Sequence, residues 1–257
     1  MTPDLGAVLT GGELELTARI GNASNVTFKA RVGGTDVAYK PIAGERPLWD
    51  FPDAVLAHRE VAAWVLSDFL GWDLVPPTVL REGPRGPGMV QLWCEPDPVQ
   101  EPVTIVEAGA TPPGFRHVFD GLGYDDRPVS LVHEDSGVLR RMALFDVLAN
   151  NADRKGGHVL AMPGGHRYAI DHGICFHTEP KLRTVLWGWA GEPLSDDELD
   201  GVRVLRAGLD GDLREELERW LAVGEVDALA RRADRLLRVA ALPVPGSGWP
   251  SIPWPPF

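Results

Sequence analysis

The chain has 257 residues, 44% of them hydrophobic and 24% charged, and its 37 acidic side chains against 25 basic ones give a net charge of −12. That length lies near the upper end of what one hydrophobic core supports, so one domain of two lobes is expected. The negative charge excludes a general binder of nucleic acid or anionic membrane, since both need a positive footprint, and no apolar run approaches the roughly 18 residues that cross a bilayer.

The opening stretch MTPDLGAVLTGGELEL carries acids where a signal peptide carries bases before an apolar core. A cytoplasmic protein without stable membrane insertion is expected. Cys94 and Cys175 lie in apolar runs without metal-type spacing and read as buried thiols. Lysine occurs only at Lys29, Lys40, Lys155 and Lys181, so a lysine inside a motif carries more weight here than in an average protein.

In chain order, ELELTARI and VTFKARV alternate as strands, and VAYK follows a turn at Gly33-Gly34-Thr35-Asp36. Between the first two lies the polar loop Gly21-Asn22-Ala23-Ser24-Asn25. After a loop over 41–52, a helix is expected from Asp53 to Leu70, with Val61, Val65 and Phe69 on its apolar face and Gly71 as the stop. LVPPTVL and MVQLWCE read as strands around a turn-rich 81–88. Pro96-Asp97-Pro98 marks the boundary between an N-lobe of about 1–96 and a C-lobe of about 97–241.

Residues 99–136 give no clear element. A helix over 137–150 carries the stripe Val138, Met142, Phe145 and Val147-Leu148, and then come a loop, the strand HVLAM, a Pro-Gly-Gly turn and the strand RYAID. Ser195 with Glu198 three residues on reads as a capping box. One or two more helices are expected between Asp212 and Arg238, and the proline-rich tail over 242–257 reads as an extended strap or as disordered.

Four residues fall in an order that phosphoryl transfer needs: Lys40 at a strand end, Glu60 in the next helix, Asp153 in a loop and Asp171 at a later strand end. A lysine holds ATP phosphates, a helix carboxylate holds the lysine, a loop aspartate orients the acceptor hydroxyl, and a further aspartate binds the bridging metal. Taken singly each has an ordinary reading: a solvated lysine, a helix acid facing water, a turn at Asp171-His172-Gly173. The weight lies in their order together. Lys155, two residues past Asp153, reads either as steadying the transferred group or as a solvent-facing lysine.

LFDVLANNADRKGGHVL followed by YAIDHGICF resembles the catalytic and metal-binding loops of the phosphatidylinositol 3-/4-kinase family, with the type II 4-kinase branch and its bacterial relatives nearest. VAYKP resembles that family's ATP-lysine strand, VPPTVL the strand after it and GMVQLWCE its hinge strand, so the likeness covers roughly 17–177. It implies an α+β, two-lobed, protein-kinase-like fold with a β-rich N-lobe and a mainly helical C-lobe. It further implies ATP with Mg²⁺ or Mn²⁺: Lys40 on the phosphates and paired with Glu60, Gln91, Leu92, Trp93 and Cys94 around the adenine, Asp153 catalytic, and Asp171 on the metal with His158 as second ligand. Ser24 and Asn25 would donate to phosphate from the loop after the first strand.

Three departures stand out. His158 occupies the place of an asparagine, and imidazole suits manganese or zinc better than magnesium. The first loop has a single glycine, and the stretch IAGERPLWDFPD lacks the cysteines of the type II lipid kinases. With no basic face, a protein hydroxyl (this chain's own included) or a small metabolite is the expected acceptor, ahead of a lipid. A nucleotide-holding pseudokinase is the alternative. A metal hydrolase built on His158, His166, His172 and His177 with the two aspartates is a weaker one, because the spacing matches no helix-borne pair.

Overall fold

The computed structural model describes residues 5–21, 25–48, 51, 55–247 and 250–257. A short helix α1 (Leu5–Thr10) leads into β1 (Leu14–Ile20), β2 (Thr27–Val32) and β3 (Thr35–Pro41), where the alternating segments predicted strands. Gly33 and Gly34 have φ of 55° and 84° and join β2 to β3, with Val32 opposite Thr35. A two-residue hairpin turn needs left-handed backbone at both positions, which glycine adopts without steric cost. The turn is therefore tighter than the four residues expected.

Next comes α2 (Leu56–Phe69), which stops before Gly71 at φ 62°. The expected start at Asp53 lies outside the described residues. Strands β4 (Thr78–Gly83) and β5 (Gly86–Leu92) complete an antiparallel sheet of order β1-β2-β3-β5-β4. They extend well into 81–88, leaving only Pro84 and Arg85 as the turn.

The uninterpreted stretch 99–136 forms a second antiparallel sheet, β6 (Val103–Glu107), β7 (Phe115–Leu122) and β8 (Pro128–Glu134), in the order β6-β8-β7. Only central β8 buries a continuous run, Ser130 to His133, whereas its neighbours are edge strands that mix half-buried and exposed positions. After it, α3 (Gly137–Ala149) starts with Ser136 Oγ accepting from the Leu139 N–H and ends at Asn150 in left-handed backbone. The hairpin β9 (Val159–Ala161) and β10 (Arg167–Ala169) follows, then α4 (Asp196–Gly208), α5 (Asp212–Leu217) and α6 (Val223–Val239). The Ser195–Glu198 capping box is present at α4.

Burial falls into two clusters. Leu14, Ala30, Val32, Val37, Tyr39 and Val90 of the five-stranded sheet pack with Leu9 of α1. The larger cluster joins Ala62, Ala63 and Leu66 of α2 to α3, α4 and α6, with Trp189 its bulkiest fully buried side chain. Helix α2 does not form the expected single apolar stripe. Because the helix lies between the sheet and the other helices, Leu56, Ala57, Arg59, Glu60, Val61, Ala62 and Ala63 are all buried, while Phe69 is 40% exposed.

The tail is a strap, as one of the two expected readings had it. Ser251 O accepts from the Thr184 N–H at 3.0 Å and from the Trp187 indole at 2.8 Å, and Pro256 O accepts from the Gly156 N–H at 2.8 Å. Within the strap, Trp254 is 79% exposed. Both cysteines are free thiols, Cys175 buried and Cys94 half-buried. No helix among the described residues is long and apolar enough to cross a membrane.

Candidate functional site

In β3 the side chains of Val37 and Tyr39 enter the sheet's own cluster, so alternation turns Lys40 to the opposite face, toward α2. Its ammonium donates to Glu60 Oε1 at 2.7 Å and to Asp171 Oδ1 at 2.6 Å. The other oxygen of Glu60 accepts from the His172 N–H at 2.9 Å. Glu60 is only 1% exposed and thereby ties β3 to the backbone beside Asp171. Asp171 itself has φ 65°, a left-handed backbone uncommon for a residue with a Cβ. Burial would push Lys40 down, but the Asp171 and Glu60 carboxylates outweigh it and raise it; Lys40 in turn holds Asp171 well below the usual carboxylate range.

The loop between α3 and β9 brings the remaining candidates. Lys155 Nζ lies 3.3 Å from Asp153 Oδ2, and burial raises the Asp153 carboxyl against the opposing pull of Lys155. His158 Nδ1 is 3.0 Å from the Asp153 carbonyl oxygen, which can only accept, so Nδ1 carries the proton. Nε2 therefore presents a lone pair, and it lies 3.2 Å from Asp171 Oδ2. Burial pushes His158 down to about 4, so the imidazole is neutral near pH 7. Two electron-pair donors facing each other this closely require a proton or a cation between them.

That pair suits a divalent ion that brings further ligands of its own. Magnesium in phosphotransferases keeps waters and phosphate oxygens and takes only one or two protein carboxylates, and an imidazole nitrogen suits manganese. Among the described residues no group of three or more His, Cys, Asp or Glu side chains is placed to hold a metal unaided. The histidines of the hydrolase reading are dispersed. His172 is buried and accepts from Arg154 at 2.7 Å, His166 packs on the Tyr168 ring, and His177 packs on Phe51.

The strand candidates separate. Gln91 is buried and donates to Thr78 Oγ1 at 2.8 Å, within the sheet. The Leu92 and Trp93 amides are taken by Pro77 O and Asp36 O, at 2.9 and 3.0 Å, and the Trp93 ring lies under Lys29 Nζ at 4.6 Å. Cys94 bonds back to Leu92 O through sulfur at 3.7 Å, and burial pushes its thiol up to about 11. Asn25 uses its side-chain oxygen to accept from the Arg46 N–H at 2.9 Å. Ser24 lies outside the described residues.

A support went unread in the sequence. Asp146 of α3 and Arg154 are both fully buried and bonded through Arg154 Nε and Nη2 at 3.0 to 3.2 Å. Asn151 and Thr184 donate to the same carboxylate, and Arg154 donates onward to Ile170 O at 2.8 Å. This network fixes the Asp153 loop against the segment entering Asp171. Its signal was an acid at a buried phase of α3, directly after Phe145 in the apolar stripe.

The molecule is thus an α+β protein in which a strand lysine, a helix glutamate and two loop carboxylates converge between a five-stranded sheet and a helical core. Over 267 aligned positions it is 48% identical to Protein Rv2133c of Mycobacterium tuberculosis, covering 99% of this chain and 96% of that protein, and it belongs to the same family. It is also similar to phosphatidylinositol 4-kinase gamma 7 of Arabidopsis thaliana, 30% identical over 173 residues. That match takes in 62% of this chain, which spans only 25% of the plant protein's length. Among solved structures, the Helicobacter pylori proinflammatory kinase CtkA aligns over 91% of this chain and 94% of its own, at 13% identity and a TM-score of 0.44. No model of a known protein family matches the chain.

Proposed function

We propose that the protein is an ATP- and divalent-metal-dependent phosphotransferase with a two-lobed, kinase-like cleft. The N-lobe would run to about residue 96, the C-lobe from 97 to 241, and the tail over 242–257 would strap the latter. The observation carrying this reading is the meeting of Lys40 with both Glu60 and Asp171 at 2.7 and 2.6 Å, from three separate elements. The similarity to a plant protein named as a phosphatidylinositol 4-kinase supports the same reaction class.

Bound ATP would supply the phosphoryl group and the metal would neutralise its charge. Lys40, held by Glu60, orients the phosphates. Asp171 Oδ2 and His158 Nε2 supply the protein side of the metal's ligands, and the Cys94 amide, which has no backbone partner among the described residues, is the donor left for adenine. Asp153, its carboxyl raised by burial, receives the proton of the acceptor hydroxyl, and Lys155 keeps that carboxylate oriented. The acceptor is a hydroxyl of a protein, this chain included, or of a small metabolite, in preference to a lipid.

The test is transfer of label from [γ-³²P]ATP with Mg²⁺ and with Mn²⁺, in the native chain and in Asp153→Asn and Asp171→Asn. Transfer should be lost in both variants. Transfer that survives both would reject the assignment. Nucleotide binding without turnover on any acceptor would make the chain a nucleotide-holding module instead.

A further inference from the structure

A cavity of about 450 Å³ lies between the end of α3, helix α6 and the strap. Its volume is within the roughly 300–1,000 Å³ of small-molecule sites. The walls are apolar, including Val147, Leu182, Trp187 and Leu236. Val239 and Val244, 56% and 65% exposed, line it as well and leave apolar surface toward solvent.

Three arginines of α6, Arg231, Arg232 and Arg235, line the same cavity. Helix α6 has three carboxylates, and each is engaged by an arginine from elsewhere: Glu225 by Arg59, Asp227 by Arg214 and Asp234 by Arg206. Arg231 and Arg235 have no ion pair among the described residues, although the chain carries twelve more acids than bases. They stand four positions apart on one helical face, where like charges repel. Arg232 donates from Nε to Leu148 O at 2.7 Å, yet its Nη2 is buried without a partner. An orphaned buried donor beside two uncompensated guanidinium groups calls for an anion.

We propose that this cavity binds a single-chain fatty-acid-type carboxylate, the alkyl chain filling the apolar space and the carboxylate taken by Arg231 and Arg235 with Arg232 beneath. The planar fork of a guanidinium matches a carboxylate in two parallel hydrogen bonds. Beyond the arginines the lining offers few side-chain polar groups, Asn150, Thr178 and Ser251, so a sugar or glycerol headgroup would find little to bond. This site is independent of the phosphotransferase reading and is tested without any activity.

The experiment is calorimetric titration of the full chain with dodecanoate below its micellar concentration, beside dodecanol, dodecyl phosphate and acetate. Dodecanoate should bind one to one and at least tenfold more tightly than any of the other three. Arg231→Ala and Arg235→Gln, both at exposed positions where folding is not at stake, should each weaken it by roughly 10-fold or more, as loss of a charge-assisted hydrogen bond does. No binding, equal binding of dodecanol or acetate, preference for the phosphate, or unchanged affinity in both variants would each overturn the proposal.

Discussion

Lys40 and Asp171, 131 positions apart in the chain, meet at 2.6 Å, and Glu60 accepts from Lys40 with one oxygen and from the His172 N–H, next to Asp171, with the other. The three groups differ in exposure: the Glu60 side chain is 2% exposed, the Asp171 side chain 48%. Glu60→Ala should therefore cost about 1.5–3 kcal/mol of folding stability, because a charged hydrogen-bond partner is lost inside the protein. Asp171→Asn should cost only about 0–1 kcal/mol, as expected of a solvent-screened pair. Urea denaturation of the two variants separates these outcomes. If Asp171→Asn proves the more destabilising, the carboxylate is a fold element before it is a functional one.

The Asp146–Arg154 pair gives a sharper stability prediction. Both side chains are at 0% exposure, so Arg154→Met leaves a buried carboxylate without its cation. The expected loss is about 3–5 kcal/mol. Replacing both members, Asp146→Leu with Arg154→Met, should recover a substantial part of that loss, since no orphaned charge remains. A double variant as unstable as the single one would show that the pair's remaining bonds, to Ile170 O and Thr184, outweigh its charge.

Much of this arrangement is readable from the residues because strong local signals stand at its corners. The Gly-Gly hairpin, the helix ending at Gly71, the α3 stripe and the Ser195 capping box all follow from short-range chemistry, and the first three mark the elements around Lys40, Glu60 and Asp153. What escapes such reading depends on contacts remote in sequence. The β6-β8-β7 sheet has one buried strand between two edge strands of mixed half-buried and exposed positions, so its periodicity is weak. Arg154 looks like one more surface arginine beside Asp153 until Asp146, eight residues back, is known to share its burial. The segment Gln91 to Cys94 shows the converse: the motif is legible, yet which amides are free depends on Pro77 and Asp36, which the motif does not contain.

Gly156 has no room for a side chain. A Cβ there would collide with the Phe257 ring, while its amide donates to Pro256 O at 2.8 Å. Gly156→Ala should release the strap, and hydrogen exchange at the residue-156 amide should quicken markedly. Phe257→Ala should open the space while leaving the backbone bond possible. In the double variant, exchange should then be slower than in Gly156→Ala alone. This non-additivity identifies a direct contact; strictly additive effects would mean that Gly156→Ala acts through the loop instead.

His133 supplies a pH dependence that does not involve the candidate carboxylates. It is fully buried in β8 against the Trp189 ring, its Nδ1 lies by the Glu134 carbonyl at 2.9 Å, and its Nε2 accepts from the Gly188 N–H at 3.0 Å. That acceptor role requires the neutral imidazole. Burial accordingly lowers its pKa below the ordinary 6.5, and nearby Arg116 adds to the effect. The surrounding charges are Arg116, Asp135 and Glu134, of which the carboxylates only partly offset burial. Below pH 6.5 the unfolded chain takes up a proton at this position that the folded chain refuses, so this contribution is complete above 6.5 and is lost as pH falls toward the folded-state pKa. The slope for one proton is about 1.4 kcal/mol per pH unit. His133→Gln keeps an acceptor for Gly188 but cannot titrate, so its stability should fall less steeply than the parent's between pH 6.5 and 5. Parallel curves for the two proteins would place the acid sensitivity elsewhere, with buried His172 the next group to replace.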